Sequence, residues 1–307
     1  MDKEFLLVVN KGDHTLSTVD PEKGRQLEVI PVGGITAHEV AGSPDGRYAW
    51  VPIYGDSGVG MPGSDGRTVN VIDIASAKLV ASIDLGEPSR PHCAVFGPND
   101  RRLYVTCEVS NSIKIIDPTS RKIVDSLPTG APESHMMVIS SDGKRAYTSN
   151  VGVGTVSAID IEQRKVIKII PVSEMAQRIA ISNDDRWVFT SDQAEPDVAV
   201  IDTNLNSVSS RIPIEDYGFG LTPTGDGQYL LVAQPSAESV SVIDLQSKKV
   251  LQVVEVPPEP QEILVRERFA YVSCDQNKQV VVIDLSNWKL AKSIDVGGGA
   301  DGLAWAA

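Results

Sequence analysis

Three of the chain's four histidines stand in matching settings: TAHEVAGSPDG, RPHCAVFGPND and ESHMMVISSDG. In each, a histidine opens a short alternating apolar run that ends in an Asp- and Gly-rich turn. A neutral imidazole offers one free lone pair near physiological pH, so a group of three can ligate a transition metal or move protons. Three imidazoles with a carboxylate or an open position form a donor set suited to Zn, Cu or Fe. Zn–N distances in such sites are about 2.0–2.1 Å. The fourth, His14 in KGDHT, reads as a solvated turn residue.

What positions these groups is a repeat. STVD, NVID, KIID, SAID, AVID, SVID and VVID recur along the chain, with aspartates at Asp20, Asp73, Asp117, Asp160, Asp202, Asp244 and Asp284. The spacing is that of one propeller blade, roughly forty residues. Each unit has an alternating first strand, a turn such as SPDG or SSDG, a second strand such as RLYVT, the V-x-V-I-D strand and a fourth strand. The aspartates recur in every unit and so read as turn architecture. The N-terminus begins at a second strand, FLLVVN, and the C-terminus ends on a first strand, ADGLAWAA. Pairing these ends would close a ring and cover two sheet edges. The expected fold is all-β: a seven-bladed β-propeller over residues 1–307, with four antiparallel strands per blade.

RRLYVTCEVSNSIKIID and FLLVVNKGDHTLSTVD resemble the YVTN-type propeller repeat. AHEVAGSPDG, RPHCAVFGP, SHMMVISSDGKRAY and DGLAW resemble a bacterial subgroup of that family, whose members are often exported and mostly without assigned activity. More distantly the chain is similar to the propellers of nitrous oxide reductase and of cytochrome d1 proteins. The resemblance implies the fold firmly and the function weakly, since one fold hosts many activities.

Aligning the first strands gives one residue per blade at the strand's start: His38, His92, His135, Gln177, Phe219, Gln261 and Asp301. Each is followed two places on by an apolar residue: Val40, Ala94, Met137, Ile179, Leu221, Ile263 and Leu303. First strands line the central channel of a propeller. Ring closure sets Asp301 beside the His38 blade, so His38, His92, His135 and Asp301 are the expected metal donors. Gln177, Phe219 and Gln261 complete the wall. Strict alternation turns Glu39 and Cys93 away from the axis side.

Further groups belong to the same face. An insertion, residues 55–66 within YGDSGVGMPGSDG, lengthens the His38 blade and is expected to overhang the channel mouth. Tyr54 at its base is a wall residue or hydrogen-bond donor. Glu108 is a candidate fourth ligand or general base. Arg90 is a candidate anchor for an anionic substrate, or else the partner of a neighbouring acidic connector.

Composition bounds the alternatives. A net charge of −13 without a basic cluster disfavours nucleic-acid or anionic-membrane binding. Three cysteines in no CxxC spacing argue against a disulfide framework or covalent haem. No apolar stretch is long enough for a membrane-spanning helix. MDKEFLLVVN reads as a strand rather than a leader, so the chain is cytosolic as written, or periplasmic or secreted if a leader was removed. Nucleotide-binding and serine-hydrolase motifs are absent. The expected function is a metal site at the channel mouth serving hydrolysis or lysis of a lactone- or ester-like small molecule, or a redox step. The competing expectation is a non-catalytic platform for a small ligand or protein partner.

Overall fold

Each V-x-V-I-D segment forms a third strand, and its aspartate ends it. The carboxylates of Asp20, Asp73, Asp117, Asp160 and Asp244 accept from the backbone N–H three residues on, at 2.6–3.0 Å. Asp202 accepts from Leu205 N and Asp284 from Ser286 N, both at 3.0 Å. These bonds turn the chain into the outer strand in every blade, which is the turn chemistry expected of Asp.

The computed structural model describes residues 4–56, 58–87 and 89–306. Its strands form seven four-stranded antiparallel sheets. Blades are numbered here by their inner strands: Ala41–Gly42 (blade 1), Pro91–Phe96 (2), Ser134–Ile139 (3), Ala176–Ile181 (4), Leu221–Pro223 (5), Pro260–Arg266 (6) and Ala300–Ala306 (7). Blade 7 is the expected composite. Its inner strand pairs with Phe5–Asn10, placing Phe5 opposite Ala306 and Val8 opposite Leu303. Adjacent inner strands pack together around the whole ring.

The apolar register holds at every blade interface. Val40, Ala94, Met137, Ile179, Leu221, Ile263 and Leu303 each belong to a different hydrophobic cluster. Two inner strands are shorter than the sequence pattern suggests. His38 and Phe219 precede the ladder of their blades and are fixed by bonds outside it. His38 O accepts from Gly302 N at 2.8 Å, and Phe219 N donates to Ala233 O at 2.7 Å.

One departure from simple alternation decides the channel. In blades 2, 3, 4, 6 and 7 the pairing of inner and second strands slips at the ring residue: Pro91 faces Cys107, but the next paired residue is Ala94, facing Val105. The same step separates Ser134 from Met137, Ala176 from Ile179, Pro260 from Ile263, and Leu303 from Ala300. Such a β-bulge sets two residues against one and re-aims the side chains there. Two residues before the ring position, Thr36, Arg90, Glu133, Glu259 and Gly299 have φ between +49° and +71°, which turns each connector into its strand.

Candidate functional site at the channel mouth

The structure brings the three ring histidines together as a stack. His92 and His135 have ring centroids 3.6 Å apart at 32°, and His38 lies 5.2 Å from His92 at the same tilt. The Tyr54 ring meets His38 and His92 edge-on at 4.9 and 5.3 Å. His92, His135, Tyr54 and Glu108 are buried, whereas the His38 side chain is 23% exposed and forms the solvent side of the stack.

Carboxylates hold the two ends. His38 Nδ1 donates to Asp301 Oδ2 at 3.1 Å, and His135 Nδ1 donates to Glu108 Oε1 at 2.5 Å. Tyr54 OH donates to the other Glu108 oxygen at 2.8 Å. The Gln177 amide Nε2 reaches His135 Nε2 at 3.1 Å. With Nδ1 carrying the proton toward Glu108, that Nε2 is an acceptor for the amide. Among the described residues, the buried polar atoms without a partner include His92 Nδ1, Gln177 Oε1 and Arg178 Nε in this group.

Asp301 therefore does not join the imidazoles as a fourth convergent donor; it sits behind His38 and orients it. Among the described residues, no three His, Cys, Asp or Glu side chains gather their donor atoms as a metal ion requires. The physical reason is the stacking: adjacent inner strands set the rings face to face, so their nitrogens run side by side. Glu108 likewise lies behind His135.

Arg90 forms an ion pair within the chain, with Asp65 of the inserted loop as its partner. Its Nε donates to Asp65 at 2.7 Å, and Nη1 and Nη2 donate to the backbone oxygens of Gly58 and Met61 at 3.1 and 3.0 Å. Nη1 also lies 4.0 Å from Glu108 Oε2. The guanidinium clasps the inserted loop and is not presented to a substrate anion. The loop crosses toward blade 3, where a Cβ on Gly60 would come within 2.6 Å of Glu133 Oε1.

Of the other wall residues, Gln177 serves His135. Phe219 lies under Arg178, with the guanidinium carbon 4.6 Å from the ring centre. Gln261 bonds back to its own connector, with Nε2 donating to Glu259 O at 3.4 Å. His14 stays in its exposed turn and accepts from Thr36 N at 3.3 Å.

Strict alternation missed a second ring. The residues after the ring positions are Glu39, Cys93, Met136, Arg178, Gly220, Glu262 and Gly302; the bulge changes the register in blades 2, 3, 4, 6 and 7, while Glu39 and Gly220 precede the ladders of blades 1 and 5. Arg178 Nη1 donates to Glu39 at 2.5 Å and Glu262 at 2.8 Å, and Nη2 donates to Asp301 at 3.3 Å. Blade 4 thus meets blades 1, 6 and 7, which is possible only at the axis. Cys93, whose Sγ lies 3.8 Å from Met137 O, is a buried packing thiol in the hydrophobic cluster between blades 2 and 3. A sequence signal existed: HEV, QRI and QEI place charged residues inside strands otherwise apolar.

Electrostatics follow from burial. His92 is held well below the usual imidazole range by desolvation, then by His135 and His38 beside it. Burial lowers His135 too, although Glu108 opposes it. Both are therefore neutral near pH 7. Burial and the Glu108 charge push the Tyr54 hydroxyl up, so it stays protonated. Glu39 is pushed up to about 8 by burial against the pull of Arg178. For Asp301 burial also acts upward, but His38, Lys11 and Arg178 outweigh it and hold the carboxyl below its usual range.

The fold and mouth define a seven-bladed propeller with an imidazole-lined channel. The Cytochrome D1 heme domain family model matches residues 98–220, less than half of the chain but including Glu108, His135, Gln177 and Arg178. Hydrazine synthase of Kuenenia stuttgartiensis superposes with a TM-score of 0.73 at 16% identity, over 87% of this chain and 89% of that one. Dihydro-heme d1 dehydrogenase NirN in complex with DHE gives 0.69 at 16% identity, over 97% and 74%. A functionally unknown protein from Desulfotomaculum acetoxidans DSM 771 gives 0.78 at 14%, over 96% and 98%. No curated protein matches the chain. The chain is thus a propeller similar to the cytochrome d1 haem domain, and at these identities the structural likeness is one of fold.

The mouth residues do not fit a haem. Both His135 nitrogens are bonded to Glu108 and Gln177. Arg178, the cation that could meet a haem's carboxylates, already holds three from the protein. Cavities of about 490, 270 and 210 Å³ are lined by the Asp-rich turns of the opposite face.

Proposed function

We propose that the channel mouth is a site for a divalent transition metal ion (Zn, Cu or Fe), taken by His38 and His92 and completed by His135, that acts on a small molecule by hydrolysis or lysis. One observation carries this reading: both outer imidazoles have a carboxylate on Nδ1. Metal-ligating histidines almost always donate their second nitrogen to such an outer partner, which fixes the tautomer and strengthens the ligand. Burial supports it by keeping His92 and His135 neutral, the form that binds metal.

In this reading His38 Nε2 faces the mouth, His92 rotates its unpartnered nitrogen toward it, and His135 joins when the Gln177 amide lets go. A bound ion would supply a Lewis acid that polarises a carbonyl or acidifies a water. The chain's own contributions are separate from it. Tyr54 stays protonated as a donor, Glu108 receives or returns a proton through His135, and the loop excludes water from the stack. A non-catalytic binding platform is the second reading, favoured by the way Tyr54, Glu108, His135 and Gln177 satisfy one another.

Elemental analysis of protein purified without added metal, repeated after reconstitution, tests the proposal. Near-stoichiometric metal that is lost in a His38→Ala/His92→Ala variant is the expected result. Protein that takes up no ion under either condition removes the metal reading. Bound metal with no turnover across lactones and esters leaves the platform reading ahead.

A further inference from the structure

Arg178 is the one residue at the mouth that touches five other blades. Its guanidinium bonds Glu39 of blade 1, Glu262 of blade 6 and Asp301 of blade 7. It also approaches Met136 Sδ of blade 3 at 3.5 Å and stacks on Phe219 of blade 5. Its side chain is 3% exposed. Gly302 and Gly220 occupy the same register in blades 7 and 5 and leave room around it. A Cβ on Gly302 would meet Glu39 Oε2 at 2.7 Å, and one on Gly220 would meet Gln261 O at 2.1 Å.

We propose that Arg178 is the positioning residue of the histidine site: from the axis it holds the Asp301 carboxylate against His38 Nδ1 and so directs the His38 Nε2 lone pair to the mouth. This deepens the reading of the mouth as an imidazole site and rests on it. Asp301 is 1% exposed and shares the axis with the acidic side chains of Glu39 and Glu262. Without Arg178 on its Oδ1, Asp301 would be free to turn from the imidazole, and His38 would lose the acceptor that fixes its tautomer. Lys11 Nζ, 3.5 Å from Asp301 Oδ2, is a second cation on this carboxylate, but it meets the oxygen that already faces His38, whereas Arg178 holds the other oxygen, Oδ1. A lysine at position 178 could not replace the arginine, because only a planar fork of five donors reaches three acceptors in fixed directions.

The test reads His38 directly and needs no metal. Long-range ¹H–¹⁵N spectra of the imidazoles are recorded on metal-free full-length protein well above the ordinary imidazole pKa. Wild type is expected to show His38 protonated at Nδ1 alone. Asp301→Ala gives the signal of a lost acceptor. Arg178→Lys and Arg178→Gln should move His38 most of the way toward that signal while circular dichroism stays that of a β-propeller. Where Arg178→Gln does not fold, Glu39→Gln/Arg178→Gln removes one of the unpaired carboxylates and is measured instead. A folded position-178 variant whose His38 keeps the wild-type tautomer overturns the proposal. Because the spectra contain no metal, failure of the metal reading leaves this result standing, and the reverse also holds.

Discussion

At the residue level, the mouth sets two buried neutral imidazoles, His92 and His135, among carboxyl groups whose charges are differently compensated. This gives stability a defined pH dependence. A base with a lowered folded pKa is stabilising in its neutral form: the contribution is complete above the unfolded value near 6.5 and is lost as pH falls below it. His92 and His135 both act in this sense, each with a limiting slope of about 1.4 kcal/mol per pH unit. Glu39 acts in the opposite sense. Its folded carboxyl keeps the proton up to about 8, so its contribution declines as pH rises from its unfolded value toward 8. Denaturant titrations across pH should therefore find greatest stability near neutrality. Glu39→Gln should flatten the alkaline limb and His92→Asn the acid limb. Unchanged limbs in both variants would contradict the burial argument.

Strands and turns decide which residues reach the axis. Alternation along the inner strands correctly sends Val40, Ala94 and their equivalents to the blade interfaces, because those positions lie beyond the bulge. It fails one residue earlier, at Arg178 and Glu262, where an extra residue in the ladder changes the facing, and at Glu39, which precedes the ladder of its blade. The close approach of neighbouring blades can be tested at Gly302, whose N–H bonds His38 O and where a Cβ would lie 2.4 Å from that oxygen. Gly302→Ala should cost about 1–3 kcal/mol by overpacking. Gly225→Ala, in open space, should stay within about 0.5 kcal/mol of wild type. The loop clasp is tested by Arg90→Gln. It removes charge-assisted bonds worth about 1.5–3 kcal/mol each to the folded loop, and hydrogen exchange of amides 58–64 should quicken while the blade cores keep their protection. Equal exchange in both proteins would mean that the loop holds itself.

At the level of the ring, closure joins the chain ends into one sheet, and that sheet also carries Asp301. Removing residues 300–306 would uncover the edge of Phe5–Asn10, take Leu303 and Trp305 from the blade 6–7 cluster, and delete the partner of His38. The truncated chain is expected to lose its cooperative unfolding transition and to associate, as seen by light scattering, because an apolar strand edge is left without a partner. A monomer with wild-type melting would show that the blades stand without closure.

The repeat, the blade number, the closing strand, the structural aspartates and the clustering of His38, His92 and His135 were all legible in the linear chain. They depend on local turn chemistry and on a period that survives without knowledge of distant contacts. The orientation of those groups was not. Whether imidazoles converge or stack, whether Asp301 ligates or supports, and whether Arg90 faces a ligand or a loop are settled by which blades approach which across the ring. Arg178 is the clearest case: a charged residue in an apolar strand finds its three partners only when four blades, distant in sequence, meet at one axis.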